Sequence, residues 1–192
     1  MSSYPIRTRR WTRREYHQLI DLGILHEDEP IELLGGQLVV AEPKSSLHST
    51  AVRLVAEALR RAFGEGWLVY TQDPLATDDE SEPEPDVVVV PGAIRDYRDA
   101  HPASAALVVE IALTSLSFDR RHKASLYARA GVADYWIVNL VDRIVEVRRR
   151  PARDASADFG AAYQDIVIAQ PGMSVAPAAK PDARIAVDAV LP

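Results

Sequence analysis

Two acids and a lysine stand in or beside segments that are otherwise apolar. Asp86 precedes the run Val87–Val90, Glu110 lies inside LVVEIA, and Lys123 follows on the next predicted helix. An ionised carboxylate in such a strand is costly unless it is paired or binds a cation. Carboxylates from neighbouring strands attract hard divalent cations, which prefer oxygen ligands. The pattern therefore predicts a Mg²⁺ or Mn²⁺ site at Asp86 and Glu110, with the main-chain carbonyl of Ile111 as a further oxygen.

A cation held in this way would lower the pKa of bound water and stabilise charge on a phosphate oxygen. Lys123 and Tyr127 are four residues apart, so they share one face of a helix. If that face is directed at Glu110, the ammonium can orient the attacking water or neutralise phosphate charge. His48, Arg120 and Arg121 are candidate nucleic-acid contacts, because imidazole and guanidinium groups can meet phosphates.

Each of these residues also has an ordinary structural interpretation. Asp86 can be an acid that begins a strand, and Glu110 can form an ion pair with an arginine at 120 or 121. A lone lysine on a helix, such as Lys123, is most often a solvated charge. Only the convergence of all three on one point would favour chemistry over these alternatives.

Apolar spacing and turn residues predict the elements that must position these groups. Continuous apolarity at 106–111 indicates a strand that is covered on both faces. One α/β domain with a mixed sheet is expected. The predicted helices are 12–22 with Thr12 as N-cap, 45–63, and 118–130 with Ser117 as N-cap; the predicted strands are 67–70, 86–90 and 106–111, hairpins 31–34/37–40 and 135–140/144–148, and weaker strands 162–168 and 184–190.

Composition limits the classes of function. The chain has 192 residues, a formal net charge of −6 and no cysteine, which excludes disulfides and thiolate metal sites. The negative charge argues against strong non-specific binding to polyanions, although bases cluster locally at 7–14, 120–123 and 148–150. No apolar run is long enough for a membrane helix, and the basic start MSSYPIRTRRWTRR lacks the apolar core of a secretory signal. We expect a cytoplasmic protein.

The stretch LVVEIALTSLSFDRRHKASLYARAGVADYWIVNL resembles the Uma2 family of restriction endonuclease-like proteins. Further similarities are IELLGGQL at 31–38, His48, and PDVVVV at 85–90. The order of Asp86, Glu110 and Lys123 also resembles the PD-(D/E)xK nuclease pattern. The resemblance spans about residues 12–148.

The resemblance implies a restriction endonuclease-like core, with a mixed central β-sheet flanked by helices, at about 12–148. Strands and loops at about 149–192 would complete a single domain over 1–192. It also implies a metal-dependent endonuclease that hydrolyses phosphodiester bonds in DNA with Mg²⁺ or Mn²⁺. In that reading Asp86 and Glu110 are metal ligands and Lys123 is the catalytic lysine. Glu32 would be an additional acid from the first helical region or its neighbouring turn, and Tyr127 a second-tier participant.

One departure from the nuclease pattern keeps a second reading open. The pattern places lysine two residues after the glutamate, where this chain has Ala112; in Uma2-like proteins the lysine lies on the following helix, as Lys123 does here. With the net charge, Ala112 favours the alternative of a catalytically silent nuclease-fold protein that binds DNA or a protein partner. A homodimer is expected for the enzyme, because two symmetric sites suit the cutting of both strands of a duplex.

Overall fold

A six-stranded sheet lies at the centre of the computed structural model, which describes residues 8–26, 28–41 and 44–192. Residues 1–7, which include part of the basic amino terminus, lie outside the described residues. The neighbouring strands Leu107–Ala112 and Asp134–Asn139 are parallel and all other neighbours in the sheet are antiparallel, so the predicted mixed sheet and α/β class are confirmed. The strands in spatial order are β3 (Trp67–Tyr70), β4 (Val87–Pro91), β5 (Leu107–Ala112), β6 (Asp134–Asn139), β7 (Ile144–Arg153) and β8 (Ala161–Ala169).

A separate hairpin of β1 (Ile31–Leu34) and β2 (Gln37–Val40) confirms the prediction made around the two glycines. Gly35 and Gly36 have φ values of 54° and 77°, the left-handed region in which glycine is least strained. A Cβ atom on Gly35 would also collide with the ring of Phe159. A bridge between Leu33 and Glu82 ties the hairpin to the acidic loop that precedes β4.

Helices cover both faces of the sheet, as the apolar run of β5 predicted. Helix α1 (Arg13–Asp21) begins with the predicted capping box of Thr12 and Glu15. Helix α2 (Ser46–Phe63) begins at the N-cap Ser45, and its buried side packs on the sheet face that carries Val87, Val89 and Val109. The opposite face carries Val88 and Val108 and packs against the helix that contains Tyr127.

The helical region after β5 begins earlier than predicted and is not uniform. It comprises a short α3 (Leu116–Phe118), a π-helical segment (Asp119–Lys123) and α4 (Ala124–Arg129). The predicted N-cap Ser117 is wrong, because that residue is already inside α3. Ser115 precedes the helix, and its hydroxyl donates a 2.5 Å hydrogen bond to Asp119. Wide π-helical turns are rare in proteins and often occur at functional sites.

The C-terminal part joins the same sheet. β7 continues past residue 148 without interruption, and β8 confirms the strand predicted at 162–168. The strand predicted at 184–190 is wrong beyond Ala186, since β10 (Ile185–Ala186) pairs only with β9 (Ser174–Val175) and gives way to a 3₁₀ turn at Val187–Ala189. A second 3₁₀ turn lies at Ile94–Tyr97.

Within the described ranges, no helix is long and apolar enough to cross a membrane. The domain limits remain a prediction.

Candidate active site

A cavity of about 770 Å³ opens between the β1–β2 hairpin, the start of α2, the end of β5 and the π-helical segment. The acids that the sequence predicted, Glu32, Asp86 and Glu110, converge here on Lys123. Four of the residues that converge are almost fully buried, with exposed fractions of 8% for Glu32, 8% for Asp86, 3% for Glu110 and 7% for Lys123. Three further acids, Glu84, Asp119 and Asp158, also line the cavity.

Asp86 lies just before β4 and is hydrogen-bonded to the end of β5. Its Oδ2 accepts a 2.8 Å hydrogen bond from the Ile111 main-chain N–H, and its Oδ1 accepts one of 3.3 Å from Gln72. The main-chain N–H of Asp86 donates to Glu110 Oε2 at 3.3 Å. Burial raises the pKa of Asp86, while the bond from Ile111 and the charge of Lys123 act against burial. The predicted role of the Ile111 carbonyl remains a prediction.

Glu110 is the residue on which the other groups converge. Its Oε1 accepts hydrogen bonds from Lys123 Nζ at 3.0 Å and from the Tyr127 hydroxyl at 2.7 Å. The prediction that Lys123 and Tyr127 share a helix face is therefore confirmed. The ion pair of Glu110 is made by Lys123, not by an arginine at 120 or 121. Burial, followed by the charge of Glu110, raises the pKa of Tyr127 well above its usual value, which keeps the hydroxyl a donor.

Glu32 completes the arrangement from a different element than expected. It lies on β1, not in the first helical region or its neighbouring turn, because the Gly35-Gly36 hairpin carries it over the cavity. Lys123 Nζ lies 3.2 Å from both oxygens of Glu32, so one ammonium bridges two carboxylates. The main-chain N–H of Glu84 donates to Glu32 Oε2 at 3.3 Å.

Negative charge is in excess around the cavity. Burial raises the pKa of Glu110 to about 7, against the lowering effect of Lys123, and the charges of Asp86 and Glu32 add to the rise. Burial and then the charge of Glu110 raise the pKa of Asp119 to about 7. Burial lowers the pKa of Lys123, but the surrounding carboxylates outweigh burial and raise it, so the lysine stays charged. One buried cation thus faces several carboxylates.

His48 projects from the first turn of α2 towards Asp86. Its Nε2 lies 3.0 Å from Asp86 Oδ1, yet this buried nitrogen has no aligned hydrogen-bond partner. Burial, and then the charge of Lys44, lowers the pKa of His48, which favours the neutral ring. A neutral imidazole with a free nitrogen can ligate a metal ion.

The two arginines proposed as nucleic-acid contacts have different surroundings. Arg121 lines the cavity with its side chain 76% exposed. Arg120 does not line it; its Nε and Nη2 donate to Glu146 Oε1 at 2.9 and 2.6 Å. Contact of either residue with nucleic acid remains a prediction.

In the part of the chain that the structure describes, no group of three or more His, Asp or Glu side chains is already arranged to hold a metal ion. The donors nevertheless suit a divalent cation. Two carboxylates from adjacent strands and an imidazole nitrogen without a partner lie within one acidic cavity. A bound cation would offset both the burial of the Glu110 carboxylate and the neighbouring negative charges, which together raise its pKa.

Sequence reasoning missed Asp119 and Glu84. Asp119 is only 2% exposed, although FDRRHK reads as a solvated charge run. The π-helical turn carries it inward, and no sequence signal marks such a turn. Glu84 lies in the run DDESEPEPD, where nothing in the sequence distinguishes it from the neighbouring acids.

A family model described as "Uma2: Putative restriction endonuclease" matches residues 13–187. The chain belongs to the Uma2 family. The match extends beyond the 12–148 expected from the sequence motifs and includes β8, β9 and β10. Among curated proteins, none matches this chain.

One solved structure with the same fold is described as a putative nuclease belonging to DUF820, from Anabaena variabilis. It is 14% identical, the alignment covers 90% of this chain and 96% of that chain, and the TM-score is 0.66. At this identity the likeness shows the fold alone. It confirms for this Uma2 member the mixed-sheet nuclease fold that the resemblance implied.

Proposed function

We propose that this Uma2 protein is a metal-dependent endonuclease that hydrolyses phosphodiester bonds in DNA. The observation that carries the proposal is the convergence of Asp86, Glu110 and Lys123 in one cavity, from two strands and a helix that are separate in sequence. Convergence of buried ionisable groups with perturbed pKa values in a cleft is typical of catalytic sites. A purely structural ion pair would not need the surplus of acids.

Asp86 and Glu110 would hold Mg²⁺ or Mn²⁺, with the Ile111 carbonyl and His48 Nε2 as additional donors. When bound, such a cation supplies a water of lowered pKa and stabilises charge on the phosphate. The neighbouring protein groups fix the orientation of the two carboxylates. The Ile111 N–H holds Asp86, and the Tyr127 hydroxyl holds Glu110.

Lys123 is the group that can act directly on the substrate. Its ammonium carries three donors, two of which are directed at Glu32 and Glu110. The third can bind the attacking water or a phosphate oxygen. Glu32 keeps the ammonium charged and in place, because its carboxylate lies opposite Glu110 at the same nitrogen.

Cleavage of supercoiled plasmid tests the proposal directly. Wild-type protein with Mg²⁺ or Mn²⁺ should convert the plasmid to nicked or linear forms, and EDTA should prevent it. Asp86→Asn should be inactive while it remains folded by circular dichroism. Asp99→Asn is the matched control, because Asp99 is 81% exposed and does not line the cavity. An Asp86→Asn protein that cuts like wild type would disprove the role of Asp86.

A second candidate function is that of a silent nuclease-fold protein that binds DNA or a protein. The observation in its favour is that Lys123 already lies between Glu32 and Glu110, so part of the buried charge is neutralised without a metal. The two functions differ in thermal stability. A ligand that binds only the folded state stabilises it, so Mn²⁺ should raise the Tm of the enzyme and leave a silent protein unchanged.

A homodimer in the cytoplasm is part of the proposal. β8 is an edge strand of the sheet, and it exposes Ile166, Val167 and Ile168 by 51%, 57% and 43%. Exposed edges of this kind favour pairing with another strand. A two-fold antiparallel pairing centred on Val167 would set Ile166 against Ile168 of a second copy and keep the two Asp165 side chains apart. Light scattering of wild type and Val167→Lys would test it.

A further inference from the structure

The scissile phosphate has to reach carboxylates that are almost completely buried. Asp86, Glu110 and Lys123 are 8%, 3% and 7% exposed. Pockets of roughly 300–1,000 Å³ enclose ligands of drug size, a class that includes one or two nucleotides. The cavity of about 770 Å³ falls in that range. A paired and stacked duplex is stiff, so lowering a backbone segment into such a cavity costs more deformation for a duplex than for an unpaired strand.

The wall of the cavity contains an aromatic surface suited to an unpaired base. The rings of Phe118 and His122 both line the cavity and stack on each other, with centroids 5.0 Å apart and planes 24° apart. Phe159 meets His122 edge-on at 4.6 Å, and an oxygen of Asp158 lies 3.2 Å from His122 Nδ1. These contacts hold the His122 ring in a fixed orientation. Bases stack on such rings regardless of their identity, because every base has a π-face.

Positive charges lie in the exposed part of the cavity lining. Arg121 is 76% exposed at the side chain, and Lys44 is exposed beside the N-cap of α2. Cations in such positions can hold phosphates on either side of the one that enters. An aromatic part of the wall with basic groups in the open part, beside the acids that would face the cation, matches the combination of stacking rings and basic groups in single-strand binding sites.

We propose that the cavity takes unpaired DNA, as a single strand, flap or frayed end, with the Phe118–His122 ring pair as the stacking surface for a base next to the scissile phosphate. This inference rests on the proposed nuclease function, because only a nuclease has a scissile phosphate. The preference for unpaired strands can nevertheless be measured without cleavage. Stacking would also supply affinity for a nucleic-acid strand that the net charge of −6 does not.

Fluorescence anisotropy in EDTA at low ionic strength tests the inference. The probes are a labelled single strand, the same sequence as a duplex, and a single strand of equal length with abasic positions. The single strand should bind wild type at least about tenfold more tightly than the duplex or the abasic strand. Phe118→Leu, which keeps an apolar side chain but removes the ring, should lose about tenfold in affinity for the single strand and nothing for the abasic strand.

Tyr97→Leu is the matched control, because Tyr97 is an aromatic residue that does not line this cavity. It should bind like wild type. If Phe118→Leu fails to fold, the difference in affinity of the wild-type protein for normal and abasic strands is by itself the test of the inference. Equal binding of duplex and single strand, no binding of either, or indifference to abasic positions would overturn the inference.

Cleavage in Mn²⁺ separates this inference from the proposed function. If binding depends on stacking but no substrate is cleaved, the preference for unpaired strands is supported and the proposed nuclease function is contradicted. Cleavage of an intact duplex as fast as of the single strand would keep the nuclease and overturn the preference.

Discussion

Glu110 and Glu146 are two buried glutamates in one row of the sheet, and they have opposite surroundings. Glu110 on β5 is opposite Ile137 on β6, and Ile137 is in turn opposite Glu146 on β7. Their exposed fractions are 3% and 1%, so burial does not distinguish them. Their partners do.

Glu146 is fully matched by positive charge. Arg120 donates to its Oε1 and Arg148 donates to its Oε2 at 2.7 Å. Burial raises the pKa of Glu146, but these hydrogen bonds and charges outweigh burial and the net pKa is lowered. Glu110 shares one ammonium with Glu32 and has a pKa raised to about 7, burial being the largest cause. The difference indicates that a shortage of counter-charge, and not burial alone, sets Glu110 apart from Glu146.

The largest expected effect is on cleavage. Glu110→Gln should lower the cleavage rate on the order of a thousandfold, because it removes a carboxylate from the proposed metal site. Its neutral amide can still accept from Tyr127, so the fold should persist. Glu146→Gln is the control from the balanced cluster, and it should retain cleavage per folded molecule. Equal loss in both variants would remove the distinction between the two glutamates.

The balanced cluster should carry the larger cost in stability. Glu146→Ala leaves the buried guanidinium of Arg148 without its partner, and Arg148 Nε already lacks one. Breaking a buried ion pair costs about 3–5 kcal/mol, and we expect the low end, about 3 kcal/mol, because Arg120 is partly exposed. Urea denaturation measures this free energy of unfolding. A loss below about 1 kcal/mol would show that the cluster is not structural.

Lys123→Met should make stability depend more strongly on pH. Without the ammonium, Glu110 faces Glu32 with no counter-charge, so the variant is penalised most where Glu110 is ionised. We expect it to lose roughly 1–2 kcal/mol more at pH 8 than at pH 5, the equivalent of about one pKa unit. Denaturation of wild type and variant at both pH values checks the difference. A loss independent of pH would indicate ordinary packing.

Asp119 should give stability a pH trend opposite to that of a salt-bridged acid. Its pKa rises from 3.8 in the unfolded chain to about 7 in the folded state, so the folded state holds the proton more tightly. That contribution to stability is fully present below about pH 4 and is lost as pH rises through about 7. The Tm of metal-free wild type should therefore fall by a few degrees between pH 5 and 8. Asp119→Asn should flatten this fall, and an unchanged slope would contradict the assignment.

Much of this arrangement could be predicted from the sequence, because the signals were local. Capping at Thr12, the glycine pair at 35–36 and the continuous apolar run of β5 each predict an element from its own residues. Asp86 and Glu110 were distinguished because an acid in an apolar strand is unusual. Lys123 was placed with them by helical spacing and family resemblance.

The remainder depends on contacts between distant parts of the chain. Glu146 lies in IVEVRR, which reads as an alternating strand with one exposed face, and its side chain is paired with Arg120 from the π-helical segment, 26 positions away, as well as with Arg148. Glu32 reaches the cavity because Leu33 bridges to Glu82, a pairing across 49 positions by the residue numbers. The inward position of Asp119 depends on a π-helical turn. Neither a pairing between distant strands nor a π-helical turn leaves a periodic trace in the sequence.

Calorimetric titration of Mn²⁺ into wild type, Asp86→Asn and Glu146→Gln tests most directly whether unbalanced charge holds a metal. Saturable binding is predicted for wild type and Glu146→Gln, and none at the same concentrations for Asp86→Asn. Identical isotherms for wild type and Asp86→Asn, or no binding to wild type, would contradict the account and make the acids of the cavity structural.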